Sequence, residues 1–465
     1  MITHSIIQKS KLESAHRLDA EYYQPEYLEL EKRIYSKSLY KLWGNIEGRF
    51  ITGPFGSEFN VENYTYDTEY RYVRGKDVKE FFLLDDDNVY IPEKDYERLK
   101  KYSLKEGDIL VSVVGTLGNA AIADSSVVPA IFSCKSTVFR TNSINPYYFI
   151  AYLNSIYGNK LLARSVRGAV QTGLNIDDLK SLPVFIPSKM EQESIGSSVL
   201  NAKQEHDKSK FLYSQAEVLL LEELGLNKFK PEEELSYIVN LSDVKSAHRA
   251  DAEYFHPKYN KIEKILNRLR RERLEDVSSL ISYGTVPTSP YVEKDGVAYV
   301  KGENLKTCFI DYSKLVYLET ESTKLLPTKY YLRQGDIIIS QMGTVGHAGL
   351  VTEKEERWLF ASFTIRVRLK EESKVILDPL FVTLFIENIS RPYYLLRRIS
   401  QASVRQNTDL PTIRDLKIPI LPKSTQGKIS DLVLQSHQAR KRAKELLEKA
   451  KREVEEFIED KKHQR

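Results

Sequence analysis

Cysteine is nearly absent. Cys134 and Cys308 are the only two in 465 residues, with no CxxC spacing and no histidines gathered around either. That excludes a disulfide framework and leaves no ligand set for a cysteine-based zinc site, so no metal is expected. No apolar run approaches the roughly 18 residues that cross a bilayer. The start, Met1-Ile-Thr-His-Ser, lacks the apolar stretch of a signal peptide. The expectation is a soluble, cytoplasmic protein with no membrane partner. A strong charge of either sign is missing too: 69 basic against 65 acidic residues leave +4, which neither demands nor excludes nucleic acid. There is no GxxxxGK[ST] and no glycine-rich strand-to-helix turn of the kind a nucleotide or S-adenosylmethionine needs. Methionine (3) and tryptophan (2) are scarce, whereas tyrosine (29) is plentiful. Tyrosine favours strands and can also donate its hydroxyl to a phosphate. With 41% apolar residues the chain can bury real cores, and at about 150 residues per domain its length suggests about three units.

What is present is a duplication. Ser14-Ala-His-Arg-Leu-Asp-Ala-Glu-Tyr-Tyr-Gln-Pro-Glu-Tyr27 returns as Ser246-Ala-His-Arg-Ala-Asp-Ala-Glu-Tyr-Phe-His-Pro-Lys-Tyr259, identical at ten of fourteen positions and almost half a chain away. Weaker echoes follow in the same order. Tyr72-Val-Arg-Gly-Lys-Asp-Val answers Tyr299-Val-Lys-Gly-Glu-Asn-Leu, and Gly107-Asp-Ile-Leu…Gly115-Thr-Leu-Gly answers Gly335-Asp-Ile-Ile…Gly343-Thr-Val-Gly. Phe132–Arg140 answers Phe360–Arg368, and Leu179-Lys-Ser-Leu-Pro-Val answers Leu416-Lys-Ile-Pro-Ile. Two copies make a pseudo-dimer within one chain rather than a solenoid.

Each half reads as a mixed αβ domain. Glu21–Lys37 is helical, with Pro25 interrupting its first turns, and Ile109–Val114 and Ile337–Ser340 are short apolar strands. In Thr364–Leu369 the alternation of Ile365, Val367 and Leu369 with Arg366 and Arg368 places the arginines on a wet face. Helices follow, from about Pro146 to Leu162 and from about Pro379 to Asn388. Each half ends in a long heptad-patterned helix. The first seam is Ile195, Val199, Ala202, His206, Ser209, Tyr213, Ala216 and Leu220; the second is Ile429, Val433, Ala443, Leu447, Ala450, Val454 and Phe457. Both seams turn polar near the middle, at His206/Ser209 and Ser436/Arg440. Pairing the two helices, each about 36 residues and roughly 54 Å long, would bury both.

Chemistry for catalysis is thin, and no catalytic residue is assigned. Asn145-Pro-Tyr-Tyr148 resembles the motif with which amino-methyltransferases grip a target amine. Helix capping is the better account, because the repeat keeps the cap and proline in Asp378-Pro-Leu-Phe381 and loses the aromatic. The repeated GTxG turns suit a nucleic-acid backbone, although a tight turn needs glycine anyway. The repeated His16 and His248 are expected to pack or cap rather than react.

Taken together, the layout resembles the specificity (S) subunit of type I restriction–modification systems. The resemblance rests on Asp19-Ala-Glu-Tyr-Tyr and Asp251-Ala-Glu-Tyr-Phe, on Thr52-Gly-Pro-Phe-Gly-Ser57 and its weaker counterpart Tyr283-Gly-Thr-Val-Pro, and on the paired GDI(L/I)…GTxG blocks. It rests also on Leu182-Pro-Val-Phe-Ile-Pro…Glu191-Gln192 leading into a long helix, from which the second copy departs at Lys423-Ser-Thr-Gln-Gly-Lys. The resemblance implies two pseudo-symmetric target recognition domains joined by two long antiparallel coiled-coil helices. The corresponding segments are 1–188 (first recognition domain with its N-terminal helix), 189–224 (first long helix), 225–245 (linker and strand-like lead-in), 246–423 (second recognition domain) and 424–465 (second long helix). Each domain would read one half of a split sequence in double-stranded DNA, with centres about one helical turn apart, near 34 Å. Catalysis would belong to two methyltransferase (M) subunits and to restriction/motor (R) subunits. S-adenosylmethionine and ATP would sit on those partners, with no cofactor on this chain. Expected backbone contacts are Arg74, Lys76, Thr116, Lys135, Arg164 and Arg167 in the first half, and Lys301, Thr344, Arg366, Arg368 and Arg405 in the second. Gln171 and Asn175 suit a groove edge. The alternatives are a DNA adenine methyltransferase-like enzyme built on Asn145-Pro-Tyr-Tyr, and a protein-binding scaffold that touches no DNA.

Overall fold

The structure, a computed structural model, describes residues 4–460 except 11, 13–16, 56–57, 116, 167–172, 231–235, 288 and 400–406. The chain divides into two compact lobes, Met1–His206 with Lys441–Arg465, and Asp207–Arg440. The division runs through both long helices, Lys189–Glu223 and Lys423–Ile458, instead of setting them apart as segments of their own.

The first lobe is built on a five-stranded sheet in the order Arg49–Thr52, Ser136–Arg140, Ile109–Ser112, Ala120–Ile122, Phe81–Phe82. It is antiparallel except at its last pair. Successive strand residues point to opposite faces. Ile109, Val111, Ile122 and Phe139 therefore join one core with helices Pro146–Asn154 and Ile156–Arg164, with Ile195 and Val199 of the first long helix and with Ala450, Val454 and Ile458 of the second. Leu110, Ala121 and Val138 face a second core with Val73 and Phe132, from the parallel pair Arg71–Val73 and Ala130–Phe132. Trp43, fully buried, closes the first core edge-on to Phe139 and Phe149.

The second lobe repeats the plan. Its main sheet runs Ser278–Tyr283, Thr364–Leu369, Ile337–Ser340, Ala348–Leu350, and a second sheet holds Tyr291–Val292, Val316–Glu319, Gly296–Val300 and Leu359–Phe360. Ile337, Ile339, Ile365 and Val367 pack on the helical side with Ala216, Leu220, Ile429 and Val433 of the long helices. Ile338 and Val300 pack on the other side.

The buried groups explain why particular stretches recur. Gly107 and Gly335 both sit at φ +86°, where a side chain would be strained. The aspartates that follow are fully buried and take bidentate pairs from arginines on the neighbouring strand of the sheet, Asp108 from Arg140 and Asp336 from Arg368, each with a shortest contact of 2.6 Å. The strongest repeat, around Arg17 and Arg249, is a clamp. Arg17 pairs with Asp19 and donates to the carbonyls of Ser165 and Val166, which end helix Ile156–Arg164. Arg249 pairs with Asp251 and donates to the carbonyls of Arg398 and Ile399. A cation at a helix C-terminus satisfies carbonyls that have no partner within the helix.

Several local expectations need adjusting. Pro25 opens the helix Pro25–Tyr35 rather than interrupting it, because its missing N–H costs nothing at the first position. The helix expected over Pro146–Leu162 is broken at Ser155, which caps the following helix at Gly158 N. A Cβ on Gly158 would lie 2.3 Å from the Tyr152 carbonyl, so the kink requires glycine. The later helix continues past Asn388 as a wide π-turn segment, Ile386–Leu395, around Pro392, whose absent N–H breaks the regular ladder. The heptad seams are mostly buried, with His206, Tyr213, Leu447 and Phe457 only partly so. Their polar middle is hydrogen-bonded within the second lobe, where Ser436 Oγ donates to the Ser209 carbonyl at 2.7 Å.

Candidate nucleic-acid interface

In each lobe the same loops converge at one end of the sheets, tied by backbone hydrogen bonds. In the first, Ser133 N donates to Val73 O (2.9 Å), Val113 N to Lys135 O (2.9 Å) and Leu174 N to Val113 O (3.0 Å). This joins the Arg74–Lys76 turn, the loop after strand Ile109–Ser112, the Ser133–Lys135 turn and the Gly173–Asn175 segment. A Cβ on Gly53 would lie 2.5 Å from the Ser133 carbonyl, so the Gly53-Pro54-Phe55 loop lies directly against them. In the second lobe, Ala361 N donates to Val300 O (2.9 Å), Ser362 N to Thr285 O (3.0 Å), Gln341 N to Phe363 O (3.0 Å) and Thr408 N to Gln341 O (3.0 Å). Gly302 packs within the reach of Ser340 and Thr344 in the same way.

Six of the expected contact residues lie on these rims. Lys135 and Asn175 are exposed, and Asn175 caps the short helix Ile176–Lys180. Thr344 is exposed beside Gly343, and the ammonium of half-buried Lys301 lies 5.6 Å from the centre of the Tyr291 ring. Arg74 is bonded to Asp77 and Asp87, and Lys76 to Asp87 at 2.8 Å. Together they hold the Asp87 carboxyl below the ordinary carboxylate range, the Lys76 hydrogen bond leading. A phosphate arriving there competes with Asp87 for both cations.

Three arginines require correction. Arg164 is buried: its Nε donates to Tyr22 O, its guanidinium stacks on the Tyr22 ring and it pairs with Glu31. Arg397 makes the matching bond to Tyr254 O, so this arginine is spent as a lock of the fold in both lobes. Arg366, expected on a wet face, is fully buried over the Phe360 ring and donates to Tyr331 O and Ser282 Oγ; burial pushes its guanidinium down to about 10. Arg368 is committed to Asp336, its side chain only 18% exposed. The cause is common to the last two: the sheet is covered on both faces, so alternation there does not mark a wet side. Thr116, Arg167, Gln171 and Arg405 lie outside the described residues, as does His16, while His248 caps helix Leu241–Ala247 at φ +51°.

Sequence reading missed the exposed apolar side chains of the same loops: Phe55, Val286, Tyr291 and Phe363. The repeat alignment held a signal for them, since Phe363 stands where the first copy has Lys135.

The Asn145 motif is structural. Its side chain accepts from Tyr147 N and Tyr148 N, and Tyr148 is fully buried with its hydroxyl on Phe185 O at 2.6 Å. Asp378 caps in the same way, and Gln192 and Gln426 accept from the Asn145 and Asp378 backbone N–H groups. Asn145→Ala should cost about 1 kcal/mol in urea unfolding. Asn145→Asp, which copies the capping aspartate of the second repeat, should keep the cap and leave urea unfolding nearly unchanged.

Among the described residues no cluster of His, Cys, Asp and Glu could hold a metal ion, and no helix is long and apolar enough to cross a membrane.

A family profile, the type I restriction modification DNA specificity domain, matches residues 51–215 and again 272–452. The chain belongs to that family. DNA recognition follows from this membership, and the duplicated match coincides with the internal repeat. Among solved structures, the S subunit of a type I restriction–modification system from M. genitalium is similar at 14% identity, over 90% of this chain and 94% of that one, with a TM-score of 0.49. The HsdS subunit from Thermoanaerobacter tengcongensis is similar at 15% identity, over 91% and 95%, with a TM-score of 0.29. A chain from a study of complex assembly and conformational transition of the type I R-M system is similar at 14% identity, over 89% and 97%, with a TM-score of 0.31. No curated protein matches the chain.

Proposed function

We propose that this member of the specificity family is a non-catalytic reader of a bipartite DNA sequence and the hub on which its enzyme assembles. Each lobe reads one half of the target through its loop cluster. The two long helices run antiparallel as a strut that fixes the gap. Two M subunits carry S-adenosylmethionine and the methyl-transfer chemistry, and R subunits carry ATP and cleavage. The observation that carries this reading is the repeated DNA-specificity profile, each copy bringing its own convergent loop cluster. The buried seams, with the Ser209–Ser436 hydrogen bond at their polar middle, support the strut. The Asn145 and Tyr148 side chains are occupied by capping and packing, which favours catalysis elsewhere.

Selection from random duplexes tests it. The chain with its M partners should enrich two short blocks separated by a constant spacer, and binding should weaken steeply with salt as phosphate contacts release counterions. Exchanging residues 39–188 for another recognition domain should change one block and leave the other intact. Methylation should appear only when the M subunit and S-adenosylmethionine are both present. Methylation by the purified chain alone, or selection of no motif, would contradict the reading.

A further inference from the structure

The two loop clusters share their buried scaffold and differ in what they present to solvent. Phe132–Arg140 and Phe360–Arg368 align residue for residue, so Lys135 and Phe363 occupy the same place in the two lobes. The aspartate–arginine pairs and the tight glycines are kept, while this outward position changes from a cation to an aromatic ring.

Phe363 is 57% exposed, yet its backbone is held on three sides. Its carbonyl accepts from Gln341 N, the preceding Ser362 N donates to Thr285 O, and the following Thr364 N donates to Ala361 O. A ring on so fixed a stretch of chain is presented to solvent by construction. Val286, 62% exposed, leaves the chain one residue beyond Thr285 and so lies beside it. The apolar spot sits within the cluster that also carries Thr344 and Lys301.

Neither side chain can neutralise a phosphate. The apolar feature that duplex DNA shows a protein in its major groove is the C5-methyl group of thymine, and phenylalanine is among the side chains that suit it. We propose that Phe363 is a specificity-determining residue of the second lobe, packing its ring on a thymine methyl group, while Lys135 at the matching position of the first lobe grips backbone phosphate. The inference rests on the DNA-reading function proposed above.

The test uses the full chain with its M partners and half-site-randomised duplexes. Phe363→Ala should keep the melting temperature, because the ring is exposed. It should lower the preference for thymine at one or two adjacent positions of one block by about 10-fold, and leave the other block unchanged. Deoxyuridine in place of that thymine should weaken the native chain to the same extent and the variant no further. Phe363→Lys should recover affinity without recovering the preference. Lys135→Ala should leave the motif intact and make the salt dependence shallower by about one unit. An unchanged motif with Phe363→Ala, whatever happens to total affinity, would overturn the inference, as would indifference of the native chain to deoxyuridine. Failure of the native chain to select any motif would instead remove the DNA-reading function itself, so the two failures are distinguishable.

Discussion

Asp336→Ala should destabilise the second lobe by about 3–5 kcal/mol, the cost of breaking a buried ion pair from one side. Asp336 is fully buried, receives two bonds from Arg368 at 2.6 and 2.7 Å, and accepts Arg333 N at 2.9 Å. Its loss leaves the Arg368 guanidinium, largely enclosed, without its counter-charge. Arg366, buried nearby and already pushed down to about 10, then loses the carboxylate whose field favours its charged form. Two like charges in a covered sheet with nothing to oppose them is a larger penalty than one lost hydrogen bond. Guanidinium unfolding followed by a probe in the second lobe checks this. A loss below about 1 kcal/mol would class the pair with exposed ones. The double variant Asp336→Ala with Arg368→Leu should recover much of the loss, since a packed apolar pair can match a buried ionic one.

The duplication was legible because both copies must solve the same local problems. The positive-φ glycine and buried aspartate of Gly107-Asp108 and Gly335-Asp336 are needed wherever that sheet is built, so both copies keep them. The Arg17 and Arg249 clamps survive for the same reason, although their partners, carbonyls some 150 residues away in sequence, could not be read from the motif. The heptad seams were legible because 3.5-residue periodicity is a one-dimensional signal. Arg164, Arg366 and Arg368 were misplaced because type and alternation say nothing about which layer covers a strand. Val138 stands in the first lobe where Arg366 stands in the second, and both are buried. The rim itself was partly legible: Lys135, Asn175 and Thr344 flank repeated motifs and are exposed. Exposed apolar residues such as Phe363 escaped notice because a phenylalanine in a strand-ending stretch reads first as core.

The second large effect concerns distance. If the two long helices act as the proposed strut, the spacer between the two blocks is a length measured by the helices, not a sequence read by the lobes. Both helices pass from one lobe to the other, at His206/Asp207 and at Arg440/Lys441. Inserting seven residues at each crossing adds about 10 Å of helix and keeps the heptad phase of both seams. The insertion points leave the Ser209–Ser436 bond within its own lobe. Sequencing the sites selected by this lengthened chain is the direct measurement. Both blocks should be enriched unchanged, separated by a spacer about three base pairs wider, given 3.4 Å per step along each strand. An unaltered spacer, or changed bases within either block, would contradict the account.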